Sequence, residues 1–581
     1  MLLIEAGSDP ESYNYQVPTF HGLSSEDKEM AWNFFVHHYG TDEKRDAKYD
    51  KERGGVLYPR AGTLGGCTAH NAMITVVAHD SDWDDIAHRT NDDSWHADNM
   101  WKYWKRLERC QYRRPPRSGE HDPSGHGFNG WLGTSKVDPT IAFGDHNVAM
   151  IVLSSLFRAE RRFWYRGFIR RIVRWFRTGD DPNDERNRAS YEGVTTTIPL
   201  ATSRGKRNGT REFIRSVQAQ HPDRLIVKMN HLATRVILDD EKRAIGVECR
   251  EGKNLYRAGP NAAQPPTYET REYRCTREVI LAGGAFNTPQ LLMLSGIGPK
   301  AHLEDPKIGI KCIVDRAGVG CNLQDRYEVG VVSEMKHPYT MLKDATFKPP
   351  VPGTPPDPAF NDWLRGKGVY TSNGAMAAMI LKSDRGKADP DLFIFALPGD
   401  FHGYYPGYSE QVITGRKSSL TWAIIKAHTN NTAGTVRLKS SDPFEPPDVN
   451  FRYFEDGNDA SGDDLESLVK GVKFVRSMNR GNFEIAREIH PGPEVSDEAL
   501  GQWIRDNAWG HHASCSCRIG RGDDPNAVVD GRFRVIGTKS LRIVDASVFP
   551  RIPGFFIATP IYMISEKAAD VITEDAQSAA N

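Results

Sequence analysis

The chain has 581 residues, 39% of them hydrophobic and 26% charged, which is a globular balance and not a disordered one. Lys+Arg 75 against Asp+Glu 76 leaves a formal net charge of −1, so no global positive field exists to coat nucleic acid, and no nucleic-acid partner is expected. Eight cysteines are too sparse for a disulfide scaffold, and no apolar run approaches the roughly 20 residues of a membrane helix.

Met1 leads at once into Leu2-Leu3-Ile4-Glu5-Ala6-Gly7, a buried-strand run with no lead-in and no basic signal region. That start predicts missing upstream sequence. Residues 157–177 (FRAERRFWYRGFIRRIVRWFR) interleave arginines with aromatic and aliphatic residues. They predict an amphipathic helix whose aromatic stripe packs on the protein, with a membrane surface or an acidic partner as the alternative. Strand-like runs recur at 224–229, 234–240, 278–284 and 540–547. Helical patterns follow at 287–297, 464–478 and 560–572. Short parallel-type strands alternating with helices predict an α/β sheet, α+β overall, interrupted by long insertions. The Pro-rich stretch 340–365 reads as irregular.

Four segments carry chemistry. Glu5 ends the first strand, where dinucleotide-binding folds place a carboxylate for the adenosine ribose; a Glu in that place is more often merely solvated. Along 58–76, Gly62, Gly65 and Gly66 let the backbone approach a flat ligand or a pyrophosphate. Arg60 precedes them, and Thr68, His70, Asn71, Ala72 and Met73 follow. Along 281–299, Gly283 and Gly284 end a strand, and Thr288-Pro289 predicts a helix start with Pro at its first position. Strand, glycine turn and helix make an anion-binding geometry. Along 509–520, His511, His512, Cys515 and Cys517 crowd together, and Asp545 and Ala546 follow in LRIVDASVFPRIPG. Cys-x-Cys three residues after His-His fits no usual zinc spacing, so no metal is expected. An acid/base histidine beside a redox cofactor is the sharper reading; buried, hydrogen-bonded histidines are the bland one.

Together these segments resemble the glucose–methanol–choline (GMC) family of flavin oxidoreductases. PRAGTLGGCTAHNAM is similar to the family's first signature and GGAFNTPQLLMLSGIG to its second. AGVGCNLQDR (317–326), TAGTVRLKSSDPFEPPDVNFRYF (432–454) and the two C-terminal motifs add to the resemblance. It implies a Rossmann-type FAD-binding domain roofed by a substrate-binding domain of antiparallel sheet and helices, and oxidation of an alcohol by hydride transfer to FAD. The implied division is 1–140, 196–330 and 506–581 for the FAD-binding parts, 141–195 for an access insertion and 331–505 for the substrate-binding domain. His512 aligns with the catalytic histidine and His511 supports it. Glu5 would hold the ribose, the 62–71 segment would run along the pyrophosphate and ring, Thr234 would meet the adenine through its backbone, and Asp545 and Ala546 would sit near the flavin. His70 aligns with a histidine that some members bond covalently to the flavin. A small-molecule alcohol is the implied substrate, with oxygen or a quinone as electron acceptor.

The chain departs from the family pattern in three places. The glycine-rich phosphate loop expected before LLIEAG is absent; restoring roughly 20–35 upstream residues is expected to restore FAD binding. Arg326 stands where the family has His. Phe556 stands where it has His or Asn, and Phe cannot hydrogen-bond an alcohol oxygen. Two alternatives follow: a non-catalytic flavin-fold protein, or a member with other flavin chemistry. A metal enzyme built on Cys515 and Cys517 ranks last. The compartment is left open, and the sequons at Asn208 and Asn430 would permit glycosylation of a secreted protein.

Overall fold

Strand Ser419–Lys426 (SLTWAIIK) is buried along all eight residues, as a strand covered on both faces must be. Around it the computed structural model builds a six-stranded sheet in the order 485–490, 328–335, 419–426, 392–398, 377–381, 193–195. Every pairing in it is antiparallel. Helix Asp463–Asn479 carries three acidic residues in its first turn and Arg476 in its last, which suits the helix dipole. It lies so close on the sheet that a Cβ on Gly471 would stand 2.9 Å from the Ile424 side chain. The structure describes residues 1–581 apart from 41–45, 118–119, 121, 139–140, 142–143, 164–180, 189–191, 196–197, 416, 579–581 and the side chains of 155–163.

Two of the parallel strand pairs frame the site. Leu2–Ile4 runs beside Ile226–Lys228, and Val279–Leu281 runs beside Leu541–Ile543. Helices Gly284–Leu294 and Ala558–Ser578 follow the second pair. The run at 234–240 was expected to join them as a parallel-type strand. It lies instead in an antiparallel meander, His231–Leu238 against Ala244–Glu251 against Glu269–Arg274. The Asp239–Lys242 turn between the first two, with Lys242 at φ +60°, closes a hairpin and leaves no crossover.

Two further expectations are corrected. Within 340–365, Pro358–Leu364 is helical, because Asp357 accepts the Phe360 N–H and Pro358 takes the first helical position. Helix Gly284–Leu294 starts four residues before Thr288, with Pro289 inside it. A proline there leaves the Ala285 carbonyl without its helical partner; the Ser516 hydroxyl donates to that carbonyl at 2.6 Å. The arginine-rich stretch falls outside the described residues, save the helix backbone as far as Phe163. Among the described residues no helix is long and apolar enough to cross a membrane. Asn208 is buried and accepts the Gly133 N–H, so its sequon is closed, while Asn430 is exposed.

Candidate active site

A cavity of about 750 Å³ draws its lining from the end of the first strand, from 59–74, from the turn after Val279–Leu281, from 544–546 and from the histidine pair. That volume lies within the roughly 300–1,000 Å³ of small-molecule sites. Every site residue named from the sequence lines it except Gly62 and Thr234. Gly62 serves packing: a Cβ there would stand 2.2 Å from the Trp32 ring. Thr234 falls at a register shift of its strand, and its hydroxyl donates to Glu248 Oε1 at 2.8 Å.

The glycine wall is made of backbone. Gly65, Gly66 and Gly284 adopt φ of +95°, +56° and +81°, a region glycine enters without penalty. A Cβ on Gly66 or Gly284 would meet nothing within 4 Å, so both faces open on the cavity. Thr68 hydroxyl donates to the Gly65 carbonyl at 2.8 Å and fixes the turn. Asn71 accepts from Arg207 and from the Met73 N–H, which holds the next turn. Asp545 accepts from the Gly284 N–H, the Thr288 hydroxyl and the Ser547 N–H, and so ties the ends of the second parallel pair together. At the end of the first strand, Glu5 Oε1 accepts the Gly7 N–H at 2.8 Å, and burial pushes this carboxyl up to about 7. Cys67, passed over in the sequence, lies among these residues. Burial would push its thiol up, but Arg60 and His70 beside it hold it down at about 6. Open glycine faces, a strand-end carboxyl and a long, largely apolar cavity fit FAD.

The histidine wall is made of side chains. Asp325 Oδ1 accepts the His512 N–H at 2.8 Å, and its Oδ2 accepts the Tyr58 hydroxyl at 2.6 Å. Tyr58 in turn accepts the Ala513 N–H. Gly510 is required there, since a Cβ would stand 2.3 Å from Asp325 Oδ2. Glu328, the first residue of strand Glu328–Met335, sets its Oε1 3.2 Å from His511 Nδ1 and 3.3 Å from His512 Nδ1. Burial lowers both imidazoles, His511 to about 3 and His512 well below 6.5, helped by Arg60 and Arg326; burial also pushes the Glu328 carboxyl well up. Both histidines therefore rest neutral, the form a base requires.

The two departures at Arg326 and Phe556 meet in space. Arg326, fully buried, donates to the carbonyls of Ala427, Pro553 and Gly554. Asp82 accepts the Gly554 N–H at 2.8 Å from the other side. The loop so held carries Phe556, whose ring meets His512 edge-on at 5.9 Å and Phe393 at 4.9 Å. Asn322 and Gln324, in the same motif as Arg326, both donate to the Pro550 carbonyl. Cys515 and Cys517 are buried, and burial pushes the Cys515 thiol up to about 12 and the Cys517 thiol also up. Neither belongs to a cluster of potential metal ligands among the described residues.

The chain is similar along its whole length to characterised oxidoreductases. An oxygen-dependent choline dehydrogenase of Photobacterium profundum is 27% identical over 98% of this chain and 88% of its own. One from Brucella canis is 30% identical over 89% and 82%. The crystal structure of a formate oxidase superposes with a TM-score of 0.76 at 21% identity, covering 99% of this chain and 94% of that one. A fungal aryl-alcohol oxidase superposes at 0.67 and 19%, covering 99% and 95%. The N- and C-terminal domain profiles of the GMC oxidoreductases match residues 47–328 and 430–565, and the chain belongs to that family of FAD-dependent oxidoreductases acting on CH–OH groups.

Proposed function

We propose that this chain oxidises an alcohol with His512 as the general base, and that Glu5, Arg60, Gly65, Gly66, His70, Gly283 and Ala546 hold the FAD. When bound, FAD supplies the two-electron acceptor for the hydride. Hydride leaves a carbinol carbon easily only as the hydroxyl proton departs, so a neutral base must meet that oxygen. The observation that carries the reading is the seat of His512. Its imidazole lines the cavity, and its Nδ1 faces the Glu328 carboxyl at 3.3 Å. A proton kept at Nδ1, the nitrogen turned to this carboxyl, leaves Nε2 for the substrate hydroxyl. His511 Nδ1 lies 3.2 Å from the same carboxyl oxygen.

Phe556 occupies the flank of His512, so one imidazole alone serves the substrate oxygen, and the adjoining wall is apolar. Phe347, Phe401, Tyr404 and Tyr408 also line the cavity. Aromatic faces attract quaternary ammonium groups, and the relatives named choline dehydrogenase support choline as the first alcohol to test. Aryl and long-chain alcohols would pack on the same rings and form the rest of the panel.

The test is an anaerobic absorption spectrum of the FAD-loaded protein with each alcohol. Bleaching of the flavin band by one class supports the reading and names the substrate. No bleaching by any alcohol would replace it with the non-catalytic flavin-fold reading. Reoxidation by oxygen or by a quinone, followed in the same cuvette, identifies the acceptor. Acid precipitation reads the bond through His70: a yellow pellet supports it, a colourless one removes it.

A further inference from the structure

Four groups of potential metal ligands occur among the described residues, and three of them are closed to an ion. In the first, Asp82 already carries Arg551 at 3.0 Å as well as His428 at 2.9 Å. In the second, His126 is gripped between Glu108 at 2.8 Å and Asp181 at 3.2 Å, all three buried. The third is the Glu328 histidine pair, with the cationic Arg60 and Arg326 nearby. A cation already in place repels another.

The fourth differs. Asp400 and His402 lie on the turn after strand Leu392–Pro398, and His490 ends strand Ile485–His490. Their donor atoms lie within 4.8 Å of one another, with His402 Nδ1 3.1 Å from Asp400 Oδ1. Zinc-type bonds of about 2.0–2.2 Å place tetrahedral donors roughly 3.4 Å apart, a short movement from this geometry. Side chains 20% exposed at Asp400 and 24% at His402 give an ion a way in. No lysine or arginine pairs with any of the three among the described residues, and Glu494 adds negative charge near His490. The supports are also in place. Gln411 Nε2 donates to Asp400 Oδ2 at 2.8 Å and orients the carboxylate, and Tyr405 stacks on the His402 ring at 5.4 Å. Such outer partners are what metal ligands use to hold their aim.

We infer that Asp400, His402 and His490 form a site for one divalent cation of the zinc class, with its remaining positions open to water. Two imidazoles and one carboxylate suit zinc, copper and nickel over calcium or magnesium. Phe401, between two of the ligands, and Tyr404, just beyond them, line the cavity. A bound ion would therefore pin the loop that carries these two rings to the neighbouring edge strand. The site stands whether or not the cavity oxidises an alcohol.

The test is equilibrium dialysis of the full chain against zinc chloride, with metal measured by elemental analysis. Wild type is expected to retain one equivalent more than His402→Ala or His490→Ala, while His512→Ala retains as much as wild type. Gln411→Ala, which leaves all three ligands, is expected to weaken binding by about 10–100-fold without abolishing it. Cobalt loaded in place of zinc should give visible ligand-field bands that His402→Gln lacks. Equal zinc in wild type and both histidine variants, or none in any, would overturn the site. A loss shared by His512→Ala would move the ion to the Glu328 cluster and overturn it equally.

Discussion

The two walls of the cavity are built by opposite means. The 64–73 wall is backbone, with left-handed glycines opening their faces and short side chains tied to the neighbouring main chain. The 509–556 wall is side chains held by a distant motif: Asp325 fixes the His512 backbone, and Asn322, Gln324 and Arg326 fix the 550–554 loop. A backbone wall makes room for a ligand and is nearly indifferent to which neighbours surround it. A side-chain wall places chemical groups, and any one of its clamps can be removed singly. Variants in the second wall should therefore change rate or stability, and variants in the first should change ligand binding.

The largest expected effect is on rate. His512→Ala removes the base, and turnover with the best alcohol should fall by about 10²–10⁴. A kcat/KM within a few fold of wild type would take His512 out of the base role. The next largest is on stability. Arg326→Leu leaves the carbonyls of Ala427, Pro553 and Gly554 without their donor, and buried groups so stranded cost about 1–3 kcal/mol each. The cost of burying the guanidinium is relieved at the same time, so the net loss should be about 2–4 kcal/mol by denaturant unfolding. An unchanged midpoint would mean that the loop carrying Phe556 does not depend on Arg326.

The first wall was legible in the sequence because its information is local: glycine, glycine and short polar residues in consecutive positions specify a turn wherever the string lies. His512 and its neighbour were legible for the same reason. Glu328 was not, although it stands two residues beyond the 317–326 motif. A glutamate at the head of an apolar strand looks solvated until the fold brings residues 511 and 512 against it. Arg326 and Phe556 stood out from the sequence as separate departures, and only the fold joins them in one clamp. The hairpin at 231–251 was missed because a buried apolar run reads alike in parallel and antiparallel strands. Helix 358–364 was hidden because its Asp-Pro start lies among other prolines that mark breaks.

Two glycine variants separate cavity lining from packing behind it. Gly62→Ala forces a methyl against Trp32 and should cost about 1–3 kcal/mol of stability, with FAD affinity following only the fraction folded. Gly66→Ala meets nothing within 4 Å, and its φ of +56° alone should cost about 1–2 kcal/mol. Its larger consequence should be weaker FAD binding, because the methyl projects into the cavity. Tight FAD binding by a folded Gly66→Ala protein would place the flavin elsewhere.

The smallest expected effect is a displacement along the pH axis. His512 must be neutral to act, and burial, His511, Arg326 and Arg60 all hold its pKa well below 6.5. The acid limb of kcat/KM should therefore lie below pH 6.5, with full activity retained at pH values where an ordinary histidine would be protonated. Replacing Arg60 by leucine removes one of the positive neighbours. The imidazolium then becomes less costly to form, the pKa of His512 rises, and the limb moves to higher pH. A limb that stays in place in Arg60→Leu, or that lies above 6.5 in wild type, would show that the base is another group or that the charges of this wall do not reach it.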